Sequence, residues 1–139
     1  MFILDTNVIS ELMRPQPDPA VFARVAAQPR DALFTTSVSE AEVFHGIGVM
    51  PEGRRRDGLA ASAEALFAEE FAGRVLPFAG TAARRYGEII TGRLSVGKPI
   101  SSFDALIAAI ALAAGARMVT RNTRDFEGCG LTLIDPWTA

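Results

Sequence analysis

Histidine and cysteine are almost missing: His45 and Cys129 stand alone in a chain of 139 residues. A single cysteine cannot close an intrachain disulfide, and one histidine with one cysteine cannot supply a zinc site of the usual spacing. The same scarcity gives poor support to Ser/His/Asp or Cys/His nucleophilic triads. Thiol usage of this kind fits a reducing, cytoplasmic compartment. Long apolar runs are missing too. The most apolar stretch, Ala105 to Ala116, falls short of the roughly 20 residues that span a bilayer and reads as a buried helix. Phe2-Ile3-Leu4 follows the first methionine directly, without the basic start and small-residue cleavage site of a secretory signal. Nor is there an excess of positive charge. A net charge of −2 and a pI near 5.4 argue against a protein that grips nucleic acid over its whole surface. Local basic rims remain at Arg54, Arg55 and Arg56, at Arg84 and Arg85, and at Arg121 and Arg124, each of which also reads simply as a solvated face.

What is present is apolar content of 49% in a length suited to one compact domain, residues 1–139. Phe2 to Leu4 is a short apolar strand that ends at Asp5 and passes directly into a helix carrying Val8, Ile9 and Leu12. Pro15 and Pro17 break that helix, and Asp18-Pro19 starts another that runs to about Gln28. Leu33 to Thr36 is strand-like. Ser37-Val38-Ser39-Glu40 fits a capping box, which would account for Glu40, and opens a helix to about Gly48. Pro51 to about Ala72 reads as one long helix or two short ones ending at Gly73. Val75-Leu76 is a third strand, Thr81 to about Leu94 a helix, and Gly97-Lys98-Pro99 a stop. Phe103, Leu106, Ile107, Ile110, Ala111 and Ala114 then recur at helical spacing, with Gly115 at the C-cap. Met118 to Thr120 and Leu131 to Ile134 complete five strands. Short apolar strands alternating with helices, without hairpin turns, predict a parallel sheet covered on both faces. Ligands in such sheets lie beyond the carboxyl ends of the strands, where the strand order reverses.

The acids fall where that rule directs attention. Asp5 closes the first strand, Asp104 lies in the first turn of an otherwise apolar helix, and Glu42 sits about one turn into the helix after the second strand. Carboxylates brought together raise one another's pKa unless a cation neutralises them, and hard cations such as magnesium or manganese prefer oxygen ligands. With histidine and cysteine so scarce, phosphodiester hydrolysis assisted by divalent ions is the chemistry best supported. Each acid also has a plainer role open to it. Asp5 can serve as an N-cap, Glu42 as a solvated helix residue, and Asp104 as a complement to the helix dipole near Ser101 and Ser102.

Four segments carry a resemblance: Leu4-Asp5-Thr6-Asn7-Val8-Ile9-Ser10, Glu42-Val43-Phe44-His45-Gly46, Phe103-Asp104-Ala105-Leu106-Ile107-Ala108, and Val119-Thr120-Arg121-Asn122 with Asp125-Phe126. In order and spacing the chain resembles PIN-domain toxins of the VapC type over its whole length. Asp135-Pro136-Trp137 adds a likeness to the Asn-Pro-Trp of the FitB branch. The resemblance implies a PIN-like three-layer α/β/α fold around a mainly parallel five-stranded sheet. It implies Asp5, Glu42 and Asp104 as catalytic metal ligands for Mg2+ or Mn2+, supported by Thr6, Asn7 and Thr120. Some relatives carry Asp at the place of Asn122, so the fourth position falls either to Asn122 as a neutral ligand or to Asp125 acting through water. Arg121 and Arg124 are the expected substrate contacts. The implied activity is an endoribonuclease of a type II toxin–antitoxin system, cutting tRNA or rRNA with a 3′ oxygen as leaving group. Its implied partners are a VapB- or FitA-type antitoxin, operator DNA only through that antitoxin, and a second copy of itself.

Three other readings compete for the same residues. A weakly active or inactive chain could serve as the partner subunit of a DNA-binding antitoxin in a repressor complex, and metal binding discriminates the two. A haloacid-dehalogenase-type phosphatase wants a second Asp two positions after the first, where this chain has Asn7, and a dinucleotide-binding turn wants glycines where it has Asp-Thr-Asn.

Overall fold

The computed structural model describes residues 1–138, so position 139 of the expected domain lies outside the described residues. The elements run β1 (Phe2–Leu4), α1 (Thr6–Leu12), α2 (Pro19–Ala26), β2 (Leu33–Thr36), α3 (Ser37–Gly48), α4 (Arg54–Ala65), β3 (Val75–Leu76), α5 (Thr81–Ser95), α6 (Ser102–Ala114), β4 (Arg117–Val119), α7 (Thr123–Phe126) and β5 (Leu133–Ile134). The five strands form one sheet in the order β3-β2-β1-β4-β5, and every pairing is parallel. The first strand made is therefore the central one. The chain builds outward from β1 in one direction through β2 and β3, then returns to its other side with β4 and β5, so the order reverses beside β1.

Alternation along the strands sorts the core into two layers. Ile3 and Met118 turn toward α5 and α6, where Ala82, Ile89, Ile107, Ala108 and Ala111 fill one face. Leu4 and Val119, their immediate neighbours, turn to the opposite face, against Val8, Ile9, Val21, Val43, Ile47 and Ala63 from α1 to α4. A one-residue step between faces is what the two-residue period of a strand requires. Burying each such Ile, Leu or Val stabilises the fold by about 1.5–3 kcal/mol. Helix α6 is buried around most of its circumference: Ala105, Ala108, Ala109 and Ala111 are fully buried, and their small side chains let it lie close to the sheet and to α5.

Local chemistry sets the boundaries. Asp18 caps α2, accepting from the Ala20 and Val21 amides, with Pro19 in the first turn. Gly115 ends α6 at φ 65°, a left-handed conformation that costs a side chain about 1–2 kcal/mol. Three expectations need correction. The N-cap of α3 is Thr36, whose hydroxyl accepts from the Ser39 amide, so the cap lies one residue earlier than Ser37 and Glu40 stands outside any capping box. Phe103, placed on the buried stripe of α6 by its spacing, is 51% exposed because it lies in the first turn, ahead of the sheet. The segment after Pro51 begins as α4 only at Arg54 and ends in a π-helical turn, Leu66–Glu70, where Phe67 and Phe71 turn into the core.

Candidate active site

Because all strands are parallel, Asp5 after β1, Thr36 at the end of β2 and Thr120 after β4 stand on the same edge of the sheet. Asp5 is buried and held from three sides. Its Oδ1 accepts from the Thr6 amide at 2.8 Å. Its Oδ2 accepts from the Thr120 hydroxyl at 2.8 Å and from Asn7 Nδ2 at 3.3 Å. Asn7 Nδ2 also donates to Thr120 Oγ1 at 3.3 Å, while Asn7 Oδ1 accepts from the Arg121 amide. The N-cap role weighed for Asp5 is thus real, yet it occupies only one of two oxygens. The second is fixed by a residue 115 positions away, which capping does not require.

Thr6 links this carboxylate to the next. Its hydroxyl lies 2.7 Å from Glu42 Oε1 and 2.9 Å from Ser39 Oγ, so one short helix start touches both acids. Asp104 enters from α6, where its amide donates to the Ser101 hydroxyl. Asp125 lies on α7 and is exposed. Asn122 is exposed as well, with its amide donating to Thr120 Oγ1.

The charges of these acids act on one another. Burial pushes the Asp5 carboxyl upward, against the hydrogen bonds from Thr120 and Thr6, and the negative charges of Glu42 and Asp125 push it further. Burial likewise raises Asp104; Ser101 opposes the rise, Asp5 and Asp125 add to it, and Arg93 lowers it. Among the described residues no three His, Cys, Asp or Glu side chains stand close enough to enclose a metal ion. The acids thus share an edge and a field while their spacing stays more open than a closed coordination shell. In chemistry the set fits a hard divalent cation: the donors are all oxygen, and positive charge would offset the burial, and the smaller mutual repulsion, that hold Asp5 and Asp104 high.

Around the acids, Arg93 escaped the sequence reading, and Ser39 and Trp137 make contacts it did not assign them. Ser39 meets Thr6 as described. Arg93 on α5 is only 6% exposed and donates to three backbone carbonyls flanking the site; its signal was a charged residue in helical register with Ala82 and Ile89. Trp137 lies under Arg121, whose guanidinium carbon is 4.9 Å from the ring centroid. Asp135 Oδ1 accepts from the Trp137 amide, so the terminal Asp-Pro-Trp forms a turn that presents the indole to Arg121. Beside Thr6 and Glu42 opens a groove of 680 Å³ between α1, α3 and α4, with Val43, Ile47 and Leu59 on its floor and Arg54 and Arg55 on its rim. Arg84 and Arg85 are exposed on α5, and Arg85 pairs with Glu88.

An all-parallel sheet with a sheet-edge set of acids at the point of order reversal defines a class, and residues 2–128 match the PIN domain family. The chain belongs to the PIN-domain family. Within it, the chain is similar to VapC-type proteins and to the toxin FitB of Neisseria gonorrhoeae, to which it is 33% identical over 137 residues, covering 99% of both chains. It is 41% identical over 139 residues to the plasmid stability protein StbB of Pseudomonas syringae pv. tomato, covering 100% of both chains. It is 42% identical over 137 residues to the VapC ribonuclease Y4jK of Sinorhizobium fredii, covering 99% of this chain and 98% of that one. Among solved structures, FitAB bound to an IR36 DNA fragment superposes with a TM-score of 0.92 at 32% identity, covering 100% of this chain and 97% of that one.

Proposed function

We propose that this chain, as a single domain, is the toxin of a type II toxin–antitoxin pair and hydrolyses RNA phosphodiester bonds with the help of Mg2+ or Mn2+. The observation that carries the reading is the seat of Asp5: a buried carboxylate fixed by Thr6, Asn7 and Thr120 and crowded by Glu42 and Asp125. A carboxylate held so tightly at a net cost in its ionised form is arranged for a cation, not for stability. Asp5, Glu42 and Asp104 would hold that ion, which polarises a phosphoryl oxygen and acidifies water when bound. Thr6 and Thr120 keep two of the acids from rotating away. Asn7 couples the β1 end to the Arg121 amide, so the acid site and the substrate-facing loop move as one. Arg121 and Arg124 supply positive charge to the RNA backbone, the class of contact that gives affinity without sequence choice. tRNA or rRNA is the proposed substrate class.

The FitAB–DNA structure supports a VapB- or FitA-type antitoxin as the partner that silences the chain and is itself the contact to operator DNA; in this reading the protein is cytoplasmic and dimerises. A chain of net charge −2 is suited to reaching DNA through such a partner. The groove beside Glu42, apolar on its floor, offers a partner segment a seat next to the acids. The test is cleavage of total RNA by antitoxin-free protein with Mg2+ or Mn2+, beside Asp5→Asn. Metal-dependent cutting that the substitution abolishes supports the nuclease. Folded, metal-supplied protein that cuts no RNA replaces it with the second reading, a partner subunit in a repressor complex, which the DNA-bound FitAB assembly and the neutral Asn122 favour.

A further inference from the structure

Phe78 is an aromatic side chain where the fold does not need one. It lies in the short connection from β3 to α5, where polar turn residues would serve, and it is 36% exposed. Its ring meets that of Tyr86 edge to face, with centroids 5.8 Å apart and planes at 76°. Tyr86 in turn packs against the core on that side of the sheet. Phe78 therefore rests on a fixed support, and an edge-to-face pair leaves the faces of the edge-on ring free of its partner. The strand register puts the pair at the acid edge: Leu76, the last residue of β3, lies opposite Thr36, the last residue of β2. Arg84, in the first turn of α5, is exposed and pairs with no carboxylate among the described residues.

The opposite flank carries a similar arrangement. Ile134 ends β5 opposite Val119, and Trp137 follows it, with the Arg121 guanidinium carbon 4.9 Å from its ring centroid. In the order β3-β2-β1-β4-β5 the two aromatic stations stand two strands to either side of β1, about 10 Å each way at the usual strand spacing. Asp5, at the end of β1, lies between them. We propose that Phe78, backed by Tyr86, stacks a base of single-stranded RNA on one side of the bond to be cut, while Arg121 on Trp137 holds the strand on the other. The RNA then crosses the acid edge at right angles to the strands. The inference rests on the ribonuclease reading above and deepens it by assigning a base contact to Phe78 and a direction to the substrate. Roughly 20 Å between stations takes at most about six nucleotides, even at the 3.4 Å rise of a stacked strand. Stacking on an aromatic face tolerates any base, so this contact adds affinity without reading sequence.

The test is the fluorescence anisotropy of a labelled single-stranded RNA, long enough to span both stations, on the Asp5→Asn chain. Adding Phe78→Ala should weaken binding about five- to tenfold, the lower end of what a stacked base contributes. The slope of log affinity against log salt should stay unchanged, because no phosphate contact is lost. Phe78→Trp keeps a π-face and should bind at least as tightly as Phe78. Phe78→Leu keeps apolar bulk against Tyr86 but no π-face, and should lose as much as Phe78→Ala; it is also the variant to use if the Phe78→Ala chain does not fold. A fully paired RNA duplex, whose bases are stacked on one another, should bind all of these chains alike. Full affinity in Phe78→Ala or Phe78→Leu, an equal loss on the duplex, or an Asp5→Asn chain that binds no RNA each overturn the proposal. So does a change of oligomeric state in sedimentation, which makes Phe78 a contact between copies. A chain with Asp5 intact that cuts no RNA overturns the ribonuclease reading itself, an outcome separate from these.

Discussion

The Thr120 hydroxyl donates to Asp5 Oδ2 at 2.8 Å, joining the carboxyl ends of β1 and β4 at the place where the strand order turns back. Both partners are buried, and the same Thr120 oxygen accepts from Asn7 and from the Asn122 amide. Thr120→Val keeps the shape and removes the hydroxyl. It should destabilise the chain by about 1–3 kcal/mol, the range for losing a buried hydrogen bond to a charged group, as measured by urea unfolding. RNA cleavage should fall further than stability, because Asp5 Oδ2 is then held only by the longer bond from Asn7.

The raised Asp104 carboxyl gives a pH signature. The folded chain holds this proton more tightly than the unfolded one, so its contribution to stability is complete below the ordinary value of 3.8 and drains away as pH rises through the higher folded value. Asp104→Asn removes a group that must ionise against burial and the charges of Asp5 and Asp125. Metal-free Asp104→Asn should therefore melt at a higher temperature than the parent at pH 7 and lose that advantage well below pH 3.8. Cleavage should be lost at every pH. A lower melting temperature at pH 7 would contradict the crowding of acids described above.

Arg121 and Trp137 supply a binding test. A guanidinium stacked on an indole at an accessible site is worth about 0.5–1 kcal/mol. Trp137→Ala, which leaves the charge but frees the arginine, should weaken binding of a single-stranded RNA oligonucleotide to catalytically dead protein about two- to fivefold. Arg121→Ala should also reduce the slope of log affinity against log salt by about 1. An unchanged salt slope would remove Arg121 from the substrate contacts.

The close packing of α6 can be probed without touching an acid. Ala108 is fully buried, and Ala108→Leu should cost about 1–3 kcal/mol by overpacking. Because Asp104 rides on the same helix, the variant should also lose RNA cleavage beyond what its unfolded fraction explains.

Most of the fold could be read from the chain because it depends on local signals. Asp18-Pro19, Gly115 and the Asp5 junction each encode an element boundary within a few residues, and strand–helix alternation left few alternatives to a parallel sheet. What escaped depended on distance. Nothing near Thr36 distinguishes it from Ser37 as a cap until β2 pairs with β3, where Thr36 lies opposite Leu76. The exposure of Phe103 follows from where α6 meets the sheet, not from its spacing. Arg93 was legible only as a charge on an apolar stripe, since its acceptors lie 5, 32 and 34 residues away. At the candidate site, residue types announced the acids, whereas the Thr6 bridge between Asp5 and Glu42 required the packing of α1 on α3.

The central position of β1 has a consequence during synthesis. Asp5 is made more than a hundred residues before the strand that completes its setting: β1 gains β4 on its open side only once residues 117–119 are made. A chain halted before that point has an unpaired strand edge and no hydroxyl to steady its first carboxylate. The carboxylate made earliest is thus the one whose setting is finished latest, and the acid edge exists only once both halves of the sheet have met.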